Sequence, residues 1–169
     1  MIINSVNNGA ISYMMRSIAK ATDLDRISLY RIFSKNNTSM VCAWNYGKAA
    51  ADNDELLLPP DFRVVSGWIK TLSAGECING NTAHMNEDDA VFLCMFGIKS
   101  IFFTPLIVDG KLWGVIAFED HKSYRYFDRD CVNAFKAAGE ICSGDIARAH
   151  SNGLDVYGNS FIIKKTVSV

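Results

Sequence analysis

The residues able to do chemistry in this 169-residue chain are five cysteines, three histidines and a few paired acids. Cys42, Cys77, Cys94, Cys131 and Cys142 are an odd number, and none forms a Cys-x-x-Cys pair. Neither a disulfide framework nor a zinc site is expected, and the cysteines read as reduced, mostly buried thiols. A thiol nucleophile needs a base or a positive field beside it, and no local sequence supplies one. His84, His121 and His150 are scattered, with no second ligand at helical spacing, so no metal is expected. The acids stand out more. Residues 97–120 read GIKSIFFTPLIVDGKLWGVIAFED, in which two apolar runs flank Asp109-Gly110 and the second closes on Glu119 and Asp120.

That stretch demands a sheet to carry it. Asp-Gly tolerates positive φ at both positions, so Ser100–Val108 and Lys111–Phe118 read as antiparallel strands on a type I′ turn. Pro105 cannot donate to a ladder and must face away from a partner strand or sit at a bulge. Alternation places Val115, Ala117 and Glu119 on one face, and Gly114, Ile116, Phe118 and Asp120 on the other.

The elements around it follow from periodicity. Ser5 or Asn7 caps a first helix whose apolar face is Ile11, Met14, Met15 and Ile18, ending near Ala21. Residues 26–34 and 39–46 read as a strand hairpin. A long connection at 47–55 has alanines suited to a short helix. Pro59-Pro60 breaks the chain, and Asp61 begins a helix through 62–72 that Gly75 ends. Residues 76–78 suit a very short strand and 79–89 a loop. Acids at 87–89 open a helix whose apolar body is Val91–Phe96 and whose cap is Gly97. Asp128 caps a last helix that Asn152-Gly153 ends. Its stripe of Val132, Phe135, Gly139, Cys142 and Ile146 is of the helix-on-helix kind, and Gly139 and Gly144 suggest close approach of another helix. The tail, 154–169, reads as an added strand, the start of a following segment, or an expression remnant.

Composition narrows the function classes. Hydrophobic residues are 49% and charged residues 21%, with 17 Lys+Arg against 18 Asp+Glu. That suits a globular domain with one core and no basic block for nucleic acid. The longest apolar runs fall short of the roughly 18–20 residues that cross a bilayer. The first ten residues lack the charged lead and apolar core of a signal peptide. A cytoplasmic protein with no membrane or nucleic-acid partner is expected.

Four segments together resemble a GAF domain: DRISLYRI at 25–32, MVCAWNYG at 40–47, the stretch at 97–120, and RYFDRDCVNAFKAAGEICSGDIARA at 125–149. The last two carry most of the likeness, with Ser-x4-Pro, a turn, Leu-Trp-Gly-Val-Ile and an aromatic–acid pair before a long helix. The subgroup it resembles sits in bacterial and archaeal sensor histidine kinases and related signalling proteins. The resemblance implies an α+β, GAF-like (profilin-like) fold over residues 1–150, with 151–169 as an extension. It implies a six-stranded antiparallel sheet, terminal helices on one face, and a small-molecule pocket on the other.

The resemblance also assigns the pocket. Ser28, Tyr30, Ile101, Phe103, Ala117 and Glu119 are expected to look into it, with Trp44, Trp68, Phe92 and Phe96 as its wall. A homodimer through the terminal helices is implied, with the stripe Val132, Phe135, Gly139, Cys142 and Ile146 as its interface. An output module such as a histidine kinase would lie in the same or a partner chain. Three activities on this fold fit less well. Asp54-Glu55 lacks the Asn-Lys and Phe that accompany it in cyclic-nucleotide binders. No Cys-His dipeptide is present for a covalent tetrapyrrole, so no covalent chromophore is expected and the cofactor is left unknown. Free methionine-R-sulfoxide reductases need two aspartates where this chain has Ala117 and Glu119, and the motif around Cys77 and Cys94 is missing. The expectation is therefore a non-catalytic sensor domain for an unidentified small molecule. The alternatives are a ligand-free dimerisation module and, below it, a thiol enzyme.

Overall fold

The computed structural model describes residues 8–34, 37–47, 66–153 and 163–166. Helix α1 (Asn8–Thr22) buries Met15 and Ala19, with Ile11, Met14 and Ile18 packed at the margin. It stops at Asp23, which takes a left-handed φ of 53° and turns the chain into the sheet. Strands β1 (Arg26–Ser34) and β2 (Asn37–Asn45) form the first hairpin. Helix α2 (Ser66–Ser73) ends at Gly75, φ 81°, and strand β3 (Ile78–Asn81) follows. The strand runs three residues beyond the expected 76–78, because its partner β4 offers a ladder that the loop-like INGN sequence does not advertise.

Helix α3 (Glu87–Met95) starts where its acids predict. The Asn86 side chain accepts from the Asp89 amide at 2.9 Å, and Gly97, φ 71°, lets the chain leave. Strands β4 (Ser100–Val108) and β5 (Lys111–Asp120) meet at Asp109 and Gly110, whose φ values of 51° and 73° are those of a type I′ turn. Strand β3 begins opposite Phe103, so Pro105 has a strand partner on the β5 side only, beside an irregularity at Leu106/Ile107. Helix α4 (Arg129–Ser151) is capped by Asp128, whose carboxylate accepts from Cys131 N at 2.9 Å.

The sheet order is β3-β4-β5-β1-β2-β6, with β1 between β5 and β2. Five strands are antiparallel. The sixth, β6 (Ile163–Thr166), comes from the tail and pairs parallel with β2. This corrects the expectation of a wholly antiparallel sheet and places a strand in the extension. The alanine-rich connection, Asp54-Glu55, Pro59-Pro60 and the helix start at Asp61 lie outside the described residues.

Each face of the sheet has its own core. On one, α1 and α4 cover Ile27, Leu29, Phe102, Ile116 and Phe118. Phe135 of α4 is fully buried there, stacked on Phe118 at 4.1 Å and edged by Phe102 and Phe127 at 5.2 Å. Each such pair adds about 1 kcal/mol beyond its area. This packing corrects the dimer assignment. Phe135, Cys142 and Ile146 are buried against the chain's own sheet, and Val132 packs on the same core. A Cβ on Gly139 would overlap the Thr104 methyl of β4, so the close approach there is to a strand. Gly144 has only Arg148 Nη1 at 3.6 Å, so no neighbouring backbone requires it. A three-and-four stripe reports a buried helix face without saying what buries it.

On the opposite face, α2 and α3 cover Tyr30, Ile101, Phe103, Val115 and Ala117. Trp68 joins the two helices. Its Nε1 donates to Asp89 Oδ2 at 3.0 Å, and its ring lies 5.0 Å from Phe103 and 6.4 Å from Phe92.

Candidate functional site

Period-two alternation builds the site. Ser28 pairs with Ala117 and Tyr30 with Val115 across β1–β5, while Ile101 pairs with Glu119 and Phe103 with Ala117 across β4–β5. Paired residues share a face, so these side chains converge under α3. Tyr30, Ile101, Phe103, Ala117 and Glu119 line a cavity of about 20 Å³, room for one water-sized group. Leu93, Phe92 and Phe96 of α3 and Ile98 form its apolar wall, and Arg26, Tyr30 and Glu119 supply the polar end.

The polar end is a buried network. Glu119 Oε1 accepts from Ser28 Oγ at 3.2 Å, and Oε2 lies 3.0 Å from His121 Nε2 and 3.5 Å from Arg26 Nη1. Arg26 Nε donates to Asn45 Oδ1 at 2.9 Å. Arg26 and Glu119 are each only 2% exposed, so this ion pair is held away from water and depends on these hydrogen bonds. Burial, and then the Glu119 charge, push the Tyr30 hydroxyl well above the ordinary tyrosine range, so Tyr30 is a neutral hydrogen-bonding group.

The neighbouring acid, Asp120, points the other way and organises the linker into α4. It accepts from the amides of Lys122 and Ser123, both at 2.8 Å, and from Arg125 Nε at 2.6 Å. Arg125 Nη2 then donates to the carbonyl of Thr22 at 2.7 Å, at the C-terminal end of α1. Lys122 Nζ reaches Asp23 Oδ1 at 2.8 Å, which raises the lysine pKa and lowers that of the acid.

Of the expected pocket residues, Tyr30, Phe92, Phe96, Ile101, Phe103, Ala117 and Glu119 line the cavity. Ser28 stands behind Glu119 and Trp68 behind Phe92 and Phe103. Trp44 is a correction. It pairs with Ile27, whose side chain belongs to the helix-covered face, and its Nε1 donates to Ser12 Oγ of α1 at 3.3 Å. Its neighbour Ala43 takes the pocket face. Arg26, His121, Leu93 and Ile98 were missed. Arg26 was legible, since it shares strand parity with Ser28 and Tyr30.

Three of the thiols, Cys77, Cys131 and Cys142, are poor nucleophiles. Burial pushes Cys142 up to about 12 and raises Cys77, while burial and then Asp128 raise Cys131. Cys77 packs against the helix-side core, whereas Cys94 is exposed on α3 over the opposite face. The two cysteines considered for reductase chemistry are therefore not brought together. Among the described residues, no cluster of histidine, cysteine and acids could hold a metal, and no helix is long and apolar enough to cross a membrane.

Known proteins share this fold. The GAF domain family model matches residues 10–146. The chain belongs to the GAF family. It is similar to the methanogenesis regulatory histidine kinase FilI of Methanothrix harundinacea, 20% identical over 156 residues, which are 89% of this chain and 18% of the kinase. The chain thus spans about a fifth of that relative's length. Among solved structures, it resembles the photoproduct state of GAF3 from Slr1393 of Synechocystis, with TM-score 0.71, 14% identity and coverage of 88% of this chain and 98% of that one. It also resembles the blue-light absorbing form of the PixJ GAF domain of Thermosynechococcus elongatus, with TM-score 0.68, 16% identity and coverage of 85% and 87%. Among the described residues, the cavity has room for one water-sized group, and no cysteine lines it.

Proposed function

We propose that residues 1–150 form the sensing module of a longer cytoplasmic signalling protein whose output is a histidine kinase in the same or a partner chain. The observation that carries this reading is the buried Arg26–Glu119–Tyr30 constellation facing the rings of Phe92, Phe96 and Phe103. A few polar groups converging in an apolar pocket are what small-molecule recognition uses. The similarity to a regulatory histidine kinase supports the output, and the share of that kinase spanned supports a longer parent chain.

A route for the signal lies next to the pocket. Glu119 and Asp120 are adjacent, and Asp120 holds Arg125, which holds the end of α1. Displacement of Glu119 by a ligand would shift the end of β5 and with it the contact joining α1 to the linker before α4. Such a shift needs a ligand that binds one arrangement of the helices better than the other.

The test is native mass spectrometry of the freshly purified chain, followed by denaturation and identification of what is released. A stoichiometric small molecule, lost in Glu119→Ala, is the expected result. A ligand retained equally by that variant would remove Glu119 from the site.

One observation favours a second reading, a ligand-free dimerisation module. The cavity is small because its own aromatic side chains fill it. With the α4 stripe committed to the sheet, the exposed large hydrophobics of the two terminal helices, among the described residues, are Tyr13 on α1 and Ile141 on α4, 75% and 50% exposed. This reading predicts a bare mass and a concentration-dependent dimer that Ile141→Asp abolishes in sedimentation.

A further inference from the structure

A second cavity lies at the sheet edge, and it shares no lining residue with the central one. It arises because β3 pairs with β4 from Ser100 to Phe103, whereas β4 runs on to Val108. Among the described residues, the β4 edge beyond Phe103 has no strand beside it. Helix α4 approaches that edge closely, since Gly139 has no Cβ to meet the Thr104 methyl. Gly75, in the turn after α2, and Cys77 complete the lining. The recess measures about 420 Å³, within the roughly 300–1,000 Å³ of small-molecule sites.

Its two sides differ in chemistry. Pro105 and Ile107 of β4 are apolar. Lys136, Glu140 and Ser143 follow one another on α4 at intervals of four and three, so they share a helix face and form a polar wall. Lys136 and Glu140 carry opposite charges one turn apart, yet among the described residues neither is in an ion pair. Lysine ahead of glutamate is the weaker order for such a pair. The lysine charge reaches into the recess: burial raises the Cys77 thiol, and Lys136 opposes that rise.

A ligand with one charge gains little from this wall. A carboxylate drawn to Lys136 meets Glu140 one turn away, and an amine drawn to Glu140 meets Lys136. A ligand that carries both charges on neighbouring atoms satisfies both residues and opposes neither. We infer that the recess between α4 and the β4 edge binds a free α-amino acid with an aliphatic side chain. Its carboxylate goes to Lys136, its ammonium to Glu140 with the Ser143 hydroxyl beside it, and its side chain covers Pro105 and Ile107. Such a ligand touches the last helix and the sheet together, and it does so whether or not the central cavity binds anything.

The test titrates L-leucine against the full chain at neutral pH, beside two analogues that each lack one charge, 4-methylpentanoate and 3-methylbutylammonium. Calorimetry gives affinity. Resonances of Ile107, Gly139 and Ser143 report on the edge recess, and those of Ala117 and Phe103 on the central cavity. Leucine should move the first set and bind about fivefold or more tightly than either analogue. Lys136→Gln should remove its advantage over the amine, and Glu140→Gln its advantage over the carboxylate. Both side chains are exposed, so both variants should fold. An analogue that matches leucine in the wild type, or a variant that keeps the full wild-type preference, overturns the inference. Leucine that moves only Ala117 and Phe103 overturns it too, and places the amino acid in the central cavity instead. No shift at millimolar leucine removes the site altogether and leaves the reading of the central cavity as it was.

Discussion

Gly139 separates two accounts of helix α4. If a second helix presses on it, enlarging it breaks a dimer; if its own strand does, enlarging it strains the monomer. The geometry favours the strand. A Cβ at position 139 would overlap Thr104 Cγ2, with Thr104 Cβ at 3.5 Å and the Pro105 carbonyl at 3.7 Å. Thr104 cannot rotate away freely, because it is 4% exposed and its hydroxyl donates to the Phe135 carbonyl at 3.3 Å.

Glycine to alanine in a helix interior gains about 1 kcal/mol of propensity. Forcing a methyl into a packed site loses roughly 1–3 kcal/mol. Gly139→Ala should therefore lose roughly 0–2 kcal/mol net, at every protein concentration, where an unhindered site would gain. Thr104→Ser removes the offending methyl, keeps the hydroxyl, and alone should lose about 1 kcal/mol. In the double variant the new methyl occupies the vacated space, so the two changes should couple favourably by roughly 1–3 kcal/mol. Gly144→Ala is the control. Its added carbon meets only Arg148 Nη1 at ordinary contact distance, 3.6 Å, so the variant should be more stable by about 1 kcal/mol. Urea unfolding at two concentrations measures all four. Stabilisation by Gly139→Ala comparable to that by Gly144→Ala, or a loss seen only where a dimer dissociates, would refute the strand contact.

Other outcomes follow from single contacts. Gly114→Ala would drive a methyl into the Tyr30 carbonyl across β1–β5, where backbone cannot yield; loss of soluble folded protein is expected, and a normal circular-dichroism melt would count against it. Trp44→Phe should lose about 1 kcal/mol with its bond to Ser12, and Trp68→Phe a similar amount with its bond to Asp89; unchanged urea midpoints would count against both contacts. Stability should fall as pH rises from about 9 toward 12. The unfolded chain ionises Cys142 near 9.0 and Tyr30 near 10.0, while burial holds both protonated in the fold, so the unfolded state sheds protons first; a flat stability profile across that range would contradict the burial of both groups.

Most of the fold was legible because local rules and tertiary needs agree. Asp109-Gly110 can adopt its two positive φ values, so the hairpin could be read from two residues. Asn86 and the acids after it fix the start of α3 whatever it packs on. Two features were not legible. The parallel pairing of β6 depends on where the tail returns after α4, which four residues cannot encode. The target of the α4 stripe depends on which surface arrives first, and helical spacing is the same for a sheet or a helix beneath it.

The site shows where alternation succeeds and where it stops. Within β1, β4 and β5, parity alone sorts Tyr30, Phe103, Ala117 and Glu119 from Ile116 and Phe118, because a one-residue slip would exchange the two cores. Parity carries from strand to strand only through register. The β1–β2 ladder shifts between Leu29 and Tyr30, and the pairing of Ile27 with Trp44 turns the indole toward α1. Parity within β2 says only that Ala43 and Trp44 oppose each other, so an aromatic near the pocket was a reasonable and mistaken guess for its wall. Glu119 is a different case. Its face was readable, but of its partners only His121 is local, two residues on, while Ser28 lies 91 residues away in sequence and Arg26 enters from the same strand as Ser28. A buried network of that kind is a property of the folded sheet, which no single strand's sequence displays.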